Sequence, residues 1–198
     1  MQINEAECLT RAQQGDDEAF TYLVEVYQRP VYNLCYRMLG NAGDAEDAAQ
    51  ETFIRAYKAI SRYDANRKFS SWLLTIASNY CIDQHRRKKL PTFSYDSLPV
   101  PDIPDKKPGM ESKITKKEER DVMMKMLDTL NAKDRSAIIL RYWYEYSYEE
   151  IAQSLSLSVS AVKSRLHRAR KELSSQWLDS QDKDIAVERK RQYESSTI

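Results

Sequence analysis

The sequence contains few of the residues that build turns, metal sites and disulfide frameworks. Its 198 residues include 4 glycines, 3 cysteines and 2 histidines, and the cysteines at 8, 35 and 81 show no CxxC spacing. A structural zinc site and a disulfide-stapled fold are therefore not predicted, and neither a metal nor another cofactor is expected. Isolated thiols are typical of proteins in a reducing cytosol, so the predicted location is cytoplasmic.

Long apolar runs and an excess of one charge are also missing. No apolar run approaches the ~18 residues that cross a bilayer, and the amino terminus, MQINEAE, lacks the basic and apolar regions of a secretory signal. Membrane insertion is therefore not predicted. The 31 basic side chains are balanced by 30 acidic ones. A chain that binds DNA with this balance must segregate its basic residues into patches.

Proline is concentrated in one stretch of the chain. Five of the six prolines, at 91, 99, 101, 104 and 108, fall within residues 91–112. Because proline cannot donate a helix hydrogen bond and disfavours the α region for its predecessor, this stretch predicts a flexible linker. Fully extended, it would reach roughly 70 Å, which is about two turns of B-DNA.

The segments on either side of the linker have helical composition and periodicity. Apolar residues recur at helical spacing over 5–90 and 113–178, and no alternating strand pattern is present. The predicted fold is all-α, with two small helical domains, the second ending in a helix-turn-helix. Ser70 is predicted to cap the last helix of the first domain, and Ser147 with Glu150 matches a capping box. The polar tail at 179–198 reads as either a frayed helix or a disordered segment.

The strongest functional pattern is the predicted helix-turn-helix at 147–173. Its second helix is basic, with five basic residues and one acid between 158 and 173, as in proteins that read the major groove. Opposite the apolar stripe project Ser160, Ser164, His167, Arg168 and Lys171, with Lys163 and Arg165 at the flanks. These side chains can contact phosphates or base edges. A basic amphipathic helix on the surface of a bundle is the alternative interpretation.

A second polar surface is predicted near the end of the first domain. One arc of its last helix carries Thr75, Asn79, Ile82, Asp83 and Arg86, and a basic loop at 63–69 precedes this helix. Asparagine can read a base edge, a basic run can anchor phosphate, and a loop with amide and aromatic groups can hold an unstacked base. A solvated helix face with a basic end has the same pattern, and Trp72 is interpreted as a core residue.

Acidic residues begin the helix predicted after residue 43. They are Asp44, Glu46, Asp47 and Glu51. Acids in a first turn interact favourably with the helix dipole, but the same exposed face also carries Gln50 and Ile54. An apolar residue ringed by acids indicates a docking face for a basic partner. A catalytic metal site is not predicted, because these acids lie on one helix without converging ligands.

Three segments resemble a known protein family. DAEDAAQETFIRAY (44–57), KFSSWLLTIASNYCIDQHRR (68–87) and LRYWYEYSYEEIAQSLSLSVSAVKSRLHRARKEL (140–173) are similar to bacterial sigma factors of the extracytoplasmic-function (ECF) group. The resemblance covers about 10–178, with 5–90 similar to region 2, 113–178 similar to region 4, and no region 3. It implies a non-catalytic subunit that directs core RNA polymerase to promoters, reading and opening the −10 element and reading the −35 element.

The resemblance also implies roles for the candidate residues. The clamp coiled coil of core polymerase would be contacted by Asp47, Gln50, Glu51 and Ile54. The loop residues Tyr63, Asn66, Arg67, Lys68 and Phe69 would hold a flipped −10 base, Asn79 and Asp83 would face the −10 element, and the basic run would add Arg86. The −35 groove would receive Lys163, Ser164, His167 and Arg168, with Ser160 and Lys171 on the same projected face. Many relatives are held inactive by an anti-sigma factor, which makes one a candidate partner; no small-molecule substrate is expected.

Two other functions fit parts of the sequence. A stand-alone helix-turn-helix regulator would use the first domain as a sensor or dimeriser and would bind duplex DNA without polymerase. A recombinase or nuclease would use the acidic cluster with a divalent metal, but the sequence offers no convergent catalytic residues.

Overall fold

The computed structural model describes residues 4–89 and 110–195, and every regular element in these ranges is helical. The elements are α1 (Glu5–Gln13), α2 (Asp17–Leu39), α3 (Ala42–Ala59), a 3-10 turn (Ile60–Arg62), α4 (Phe69–Lys89), α5 (Met110–Thr129), α6 (Ala132–Trp143), α7 (Tyr148–Ser154) and α8 (Val159–Ser195). The predicted all-α fold is confirmed. None of the helices in these ranges has the length and apolar character needed to span a bilayer.

The chain forms two compact units, Met1–Lys125 and Met126–Ile198. Most of the predicted linker lies outside the described residues, but its last three positions belong to α5, which begins at Met110. The predicted boundaries at 90 and 113 stay predictions. The tail, for which the sequence left two alternatives, continues α8 as helix as far as Ser195.

In the first unit, α2 packs against α1, α3 and α4. Long apolar side chains of α2 face small ones on α3, where Ala45, Ala48 and Ala56 are buried. Because alanine has no side chain beyond Cβ, this stripe permits close packing against α2. Gly40 ends α2 with φ +86°, a left-handed conformation that glycine adopts at little cost.

In the second unit, α8 packs on α6 and α7 through the buried Val162, Leu166 and Ala169. The predicted capping box is confirmed: the Glu150 amide donates to Ser147 Oγ at 3.1 Å, and the Ser147 amide donates to Glu150 Oε2 at 2.8 Å. This pair satisfies amides at the start of α7 that have no partner within the helix.

Helix α4 begins two residues earlier than a cap at Ser70 would place it. The Trp72 amide donates to the Lys68 carbonyl at 3.2 Å, so Lys68 is the last residue before the helix. Ser70 therefore lies inside α4, and the prediction that it caps this helix was wrong.

Candidate nucleic-acid and protein interfaces

The first turns of α8 carry one buried and one exposed face. Val162, Leu166 and Ala169 are at most 2% exposed, so the side of the helix that faces the core is fixed. The opposite side exposes every predicted DNA-contact residue of this helix, namely Ser160, Lys163, Ser164, His167, Arg168 and Lys171. The 3–4 spacing of the apolar residues thus presents these polar side chains together.

Arg165 is occupied within the second unit. Its Nη1 donates to Asp134 Oδ1 at 2.7 Å, and the side chains are 25% and 8% exposed. Asp134 also accepts a 2.6 Å hydrogen bond from Asn131 Nδ2 at the start of α6. Arg165 lies at the flank of the exposed face, as predicted, but its guanidinium is held by an ion pair that joins α8 to α6. No local sequence signal identified Asp134, which is 31 residues away.

Lys163 and Ser160 have neighbours that restrain them. Lys163 Nζ lies 5.8 Å from the centroid of the Tyr148 ring, and Arg141 lies 5.2 Å from the same ring. Ser160 Oγ lies 3.0 Å from Ser158 Oγ. A cation–π contact at an exposed site stabilises by only about 0.5–1 kcal/mol. Lys163 therefore remains available for a stronger anionic partner such as phosphate.

Two of the contact residues predicted for the loop at 63–69 are buried. Tyr63 and Phe69 are 5% and 2% exposed. Their rings pack with Tyr27 and Trp72 at centroid distances between 5.1 and 5.6 Å. Aromatic rings buried against one another are not free to stack on a base. The assignment of Tyr63 and Phe69 to direct base contact is therefore corrected: both belong to the core beneath the loop.

The exposed part of the loop is held in a defined turn. Asp64 Oδ1 accepts from the Asn66 amide at 3.0 Å and from Asn66 Nδ2 at 2.9 Å, and the Arg67 amide donates to the Asp64 carbonyl at 3.0 Å. Beneath it, the Tyr63 hydroxyl donates to the Arg67 carbonyl. Burial raises the pKa of Tyr63, as do the nearby charges of Glu5 and Asp64, so the phenol stays protonated and donates. The sequence pattern assigned no role to Asp64, although Asp-x-Asn is a recognisable turn pattern.

The polar arc of α4 is present with one strong candidate for base contact. Asn79 is exposed, and its side chain makes no hydrogen bond to the rest of the described chain. Asp83 and Arg86 form an exposed i,i+3 ion pair at 3.4 Å. Exposed pairs contribute little stability, about 0–1 kcal/mol, so either partner can exchange its contact for DNA.

The predicted docking face lies on α3. Asp47 and Gln50 are exposed and Ile54 is 48% exposed, while Glu51 pairs with Arg55 at 2.7 Å. Beside this face runs a groove between α2 and α3, whose lining includes Val24, Val26, Tyr32, Ala49, Gln50 and Phe53. Sequence analysis did not find the groove, because its two walls come from helices that are separate in sequence.

Two parts of the chain match sigma-70 family models. Residues 23–90 match Sigma-70 region 2 and residues 120–173 match Sigma-70 region 4. The chain is 38% identical over 180 residues to the ECF RNA polymerase sigma factor SigW of Bacillus subtilis (strain 168), covering 86% of this chain and 95% of that protein. The chain belongs to the ECF RNA polymerase sigma factors.

Further relatives agree with the assignment. The ECF RNA polymerase sigma-E factor of Escherichia coli (strain K12) is 32% identical to this sigma factor over 183 residues, which are 88% of this chain and 94% of that protein. The solved structure of CnrH in complex with the cytosolic domain of CnrY has a TM-score of 0.65 and 26% identity, covering 89% of this chain and 97% of that one. The family membership predicted from the three sequence segments is confirmed. The chain is therefore a sigma factor for promoter-specific transcription initiation with RNA polymerase.

Proposed function

We propose that this sigma factor reads the −10 element with its first unit and the −35 element with α8. The observation that carries this proposal is the exposed face of α8, on which six polar or basic side chains stand opposite a fully packed apolar stripe. A helix presented in this way fits the major groove, whose edges distinguish all four base pairs.

Within α8, a division of roles follows from position along the helix. Residues near the amino terminus of a recognition helix penetrate furthest into the groove. Lys163, Ser164 and Arg168 are therefore proposed to contact bases, His167 faces the same groove, and Lys171, further along, is proposed to contact phosphate. Ser160 contributes a hydroxyl at the first turn.

In the first unit, the −10 element is proposed to contact both the loop and the α4 arc. Asn79 is the proposed base reader, because its exposed amide offers a donor and an acceptor to a base edge. Asn66, Arg67 and Lys68 form the exposed rim at which an unstacked base would be held. Asp83 faces the −10 element beside Asn79, and Arg86, at the start of the basic run, contacts backbone phosphate. Strand opening would come from trapping the base, without catalysis by the sigma factor.

Core RNA polymerase is proposed to dock on α3 through Asp47, Gln50, Glu51 and Ile54. The apolar groove beside these residues supports a protein partner, since a flat charged surface alone gives little affinity. An anti-sigma factor is proposed as a further partner. Support comes from the solved CnrH structure, which holds the cytosolic domain of CnrY, and from a sigma factor RpoE structure that holds the anti-sigma factor NepR.

The rival functions receive less support. A stand-alone helix-turn-helix regulator would leave the match of residues 23–90 to Sigma-70 region 2 unexplained. For a metal-dependent nuclease, the described part of the chain offers no group of three or more His, Cys, Asp or Glu side chains that could hold an ion.

Transcription in vitro with core polymerase tests the proposal. The sigma factor should initiate from defined promoters, and Asn79→Ala should lower initiation by an amount equivalent to ~1–3 kcal/mol at one −10 position. Gln14→Ala, at an exposed position outside α3 and α4, is the control for general damage. Transcription that ignores base changes in both elements, or tight duplex binding without polymerase, would contradict the assignment.

A further inference from the structure

Helix α1 reaches the loop through a single glutamine. Gln13 Nε2 donates to the Tyr63 carbonyl at 2.7 Å and to the Ile60 carbonyl at 3.3 Å, across 50 and 47 residues of sequence. Gln13 is half-buried and lies before the first residue matched by the region 2 model. Neither the family match nor the sequence pattern therefore assigns it a role.

The two acceptors lie where the backbone needs donors. α3 ends in the 3-10 turn Ile60–Arg62, and the last carbonyls of a helical segment have no partner within it. The Tyr63 amide satisfies Ile60 from within the turn at 3.0 Å. Gln13 supplies a donor from outside the turn and fixes Tyr63, the residue just before the 64–68 loop, against α1.

The contact continues from Tyr63 to the exposed side of the loop. The Tyr63 ring is clamped between Phe69 and Trp72, with centroid distances of 5.5 and 5.1 Å. Its hydroxyl donates to the carbonyl of Arg67, the residue that starts the basic rim. A continuous set of contacts thus runs from the Gln13 amide, through the Tyr63 backbone and ring, to the backbone of the residues proposed to hold a base.

We propose that Gln13 is a positioning residue for base capture by the 64–68 loop. This inference rests on the proposed function of the loop. A loop already held in one conformation loses less conformational freedom when it binds than one that must first become ordered. Gln13 would therefore assist capture of an unstacked base without touching DNA.

The test compares three variants of the full chain. Gln13→Ala removes the amide, Gln13→Glu keeps its shape but has no N–H to donate, and Gln14→Ala removes the neighbouring exposed amide as a matched control. Hydrogen exchange at the Arg67 amide reports loop order in the free protein. Fluorescence of 2-aminopurine in the −10 element reports opening when the sigma factor is bound to core polymerase.

Both Gln13 variants should accelerate exchange at Arg67 and reduce promoter opening by about 3- to 10-fold, the effect expected for one lost hydrogen bond. Affinity for core polymerase should stay unchanged. The reduced promoter opening should be accompanied by a weaker preference for the captured base. Tyr63→Phe, which keeps the ring but lacks the hydroxyl, should give the same position-specific defect. Gln14→Ala should match wild type in each measurement.

Three outcomes separate the possible failures. If wild type and Gln14→Ala open no promoter, or open it regardless of the −10 base, the proposed function of the loop is refuted. Normal opening by Gln13→Ala, when wild type responds to the −10 base, would overturn the positioning role alone. An equal loss of polymerase binding, opening and thermal stability would also overturn it, because Gln13 would then only stabilise the first unit.

Discussion

The two surfaces proposed to contact DNA are built in different ways. The α8 face is a regular helix, in which a buried stripe of three apolar residues determines what is exposed. The 64–68 loop has no such periodicity. Gln13 binds the residue before it, Tyr63, and packed aromatic rings of α2 and α4 lie beneath it. A helical surface of this kind is specified locally. A loop surface is specified by residues distant in sequence, so changes far from DNA should affect the loop more often than α8.

The ion pair between Arg165 of α8 and Asp134 of α6 is the exception to this local specification, and replacing Asp134 should have the largest effect. Asp134→Asn leaves the largely buried Arg165 guanidinium without its counter-charge, which should lower the free energy of unfolding of the second unit by ~2–4 kcal/mol. Hydrogen exchange at the Val162 and Leu166 amides would measure this. Glu149→Gln, an exposed carboxylate on α7, should change little. Equal stability of both variants would show that the ion pair does not hold α8.

Arg168→Ala should distinguish base reading from backbone contact on α8. If Arg168 contacts a base, Arg168→Ala should lower the binding free energy by ~1–3 kcal/mol and relax the base preference at one −35 position. Lys171→Ala should instead weaken binding to all sequences alike and reduce the slope of log affinity against log salt concentration by about one. Binding of −35 duplexes with single-base changes, over a range of salt concentrations, measures both. If the two variants behave identically, the division of roles along α8 is wrong.

Ile54→Asp should reduce transcription equally from promoters with different −10 and −35 sequences. The half-exposed Ile54 lies on the proposed polymerase face, and a buried charge there should weaken core binding by about 1–2 kcal/mol. Competition with another sigma factor for core polymerase is the measurement, and Gln14→Ala, at an exposed position outside α3, is the control. Unaltered competition would exclude Ile54 from the interface.

Ser156→Gly should have the smallest effect, and it should be stabilising. Ser156 is the second residue after α7 and has φ +53°. The Leu157 amide donates to the Ala152 carbonyl at 2.8 Å, the helix-ending arrangement in which glycine is usual. Glycine there should stabilise the second unit by ~0.5–1 kcal/mol. Ser174→Gly, within α8, should destabilise by a similar amount. A loss of stability in Ser156→Gly would mean that the Ser156 side chain itself contributes.

Sequence alone predicted several features that are determined within one helix, although the cap that it placed at Ser70 was wrong. It predicted the exposed face of α8, the capping box of Ser147 and the exposure of Ile54, each determined within a few turns of helix. It failed for Tyr63 and Phe69, which it placed at the DNA although they are buried. It also gave no sign of the ion pair between Arg165 and Asp134. Those failures share a cause, since each side chain is oriented by a partner on another helix, which no local pattern specifies.

The length of α8 has a mechanical consequence. At 1.5 Å per residue its 37 residues form a rod of about 55 Å, and the proposed reading face occupies only its first turns. The region 4 match ends at residue 173, which leaves about 33 Å of helix beyond it. That extension is continuous with the helix that carries the proposed reading face. A protein bound at its far end would therefore be connected to that face through one unbroken helix, without touching the residues proposed to contact DNA.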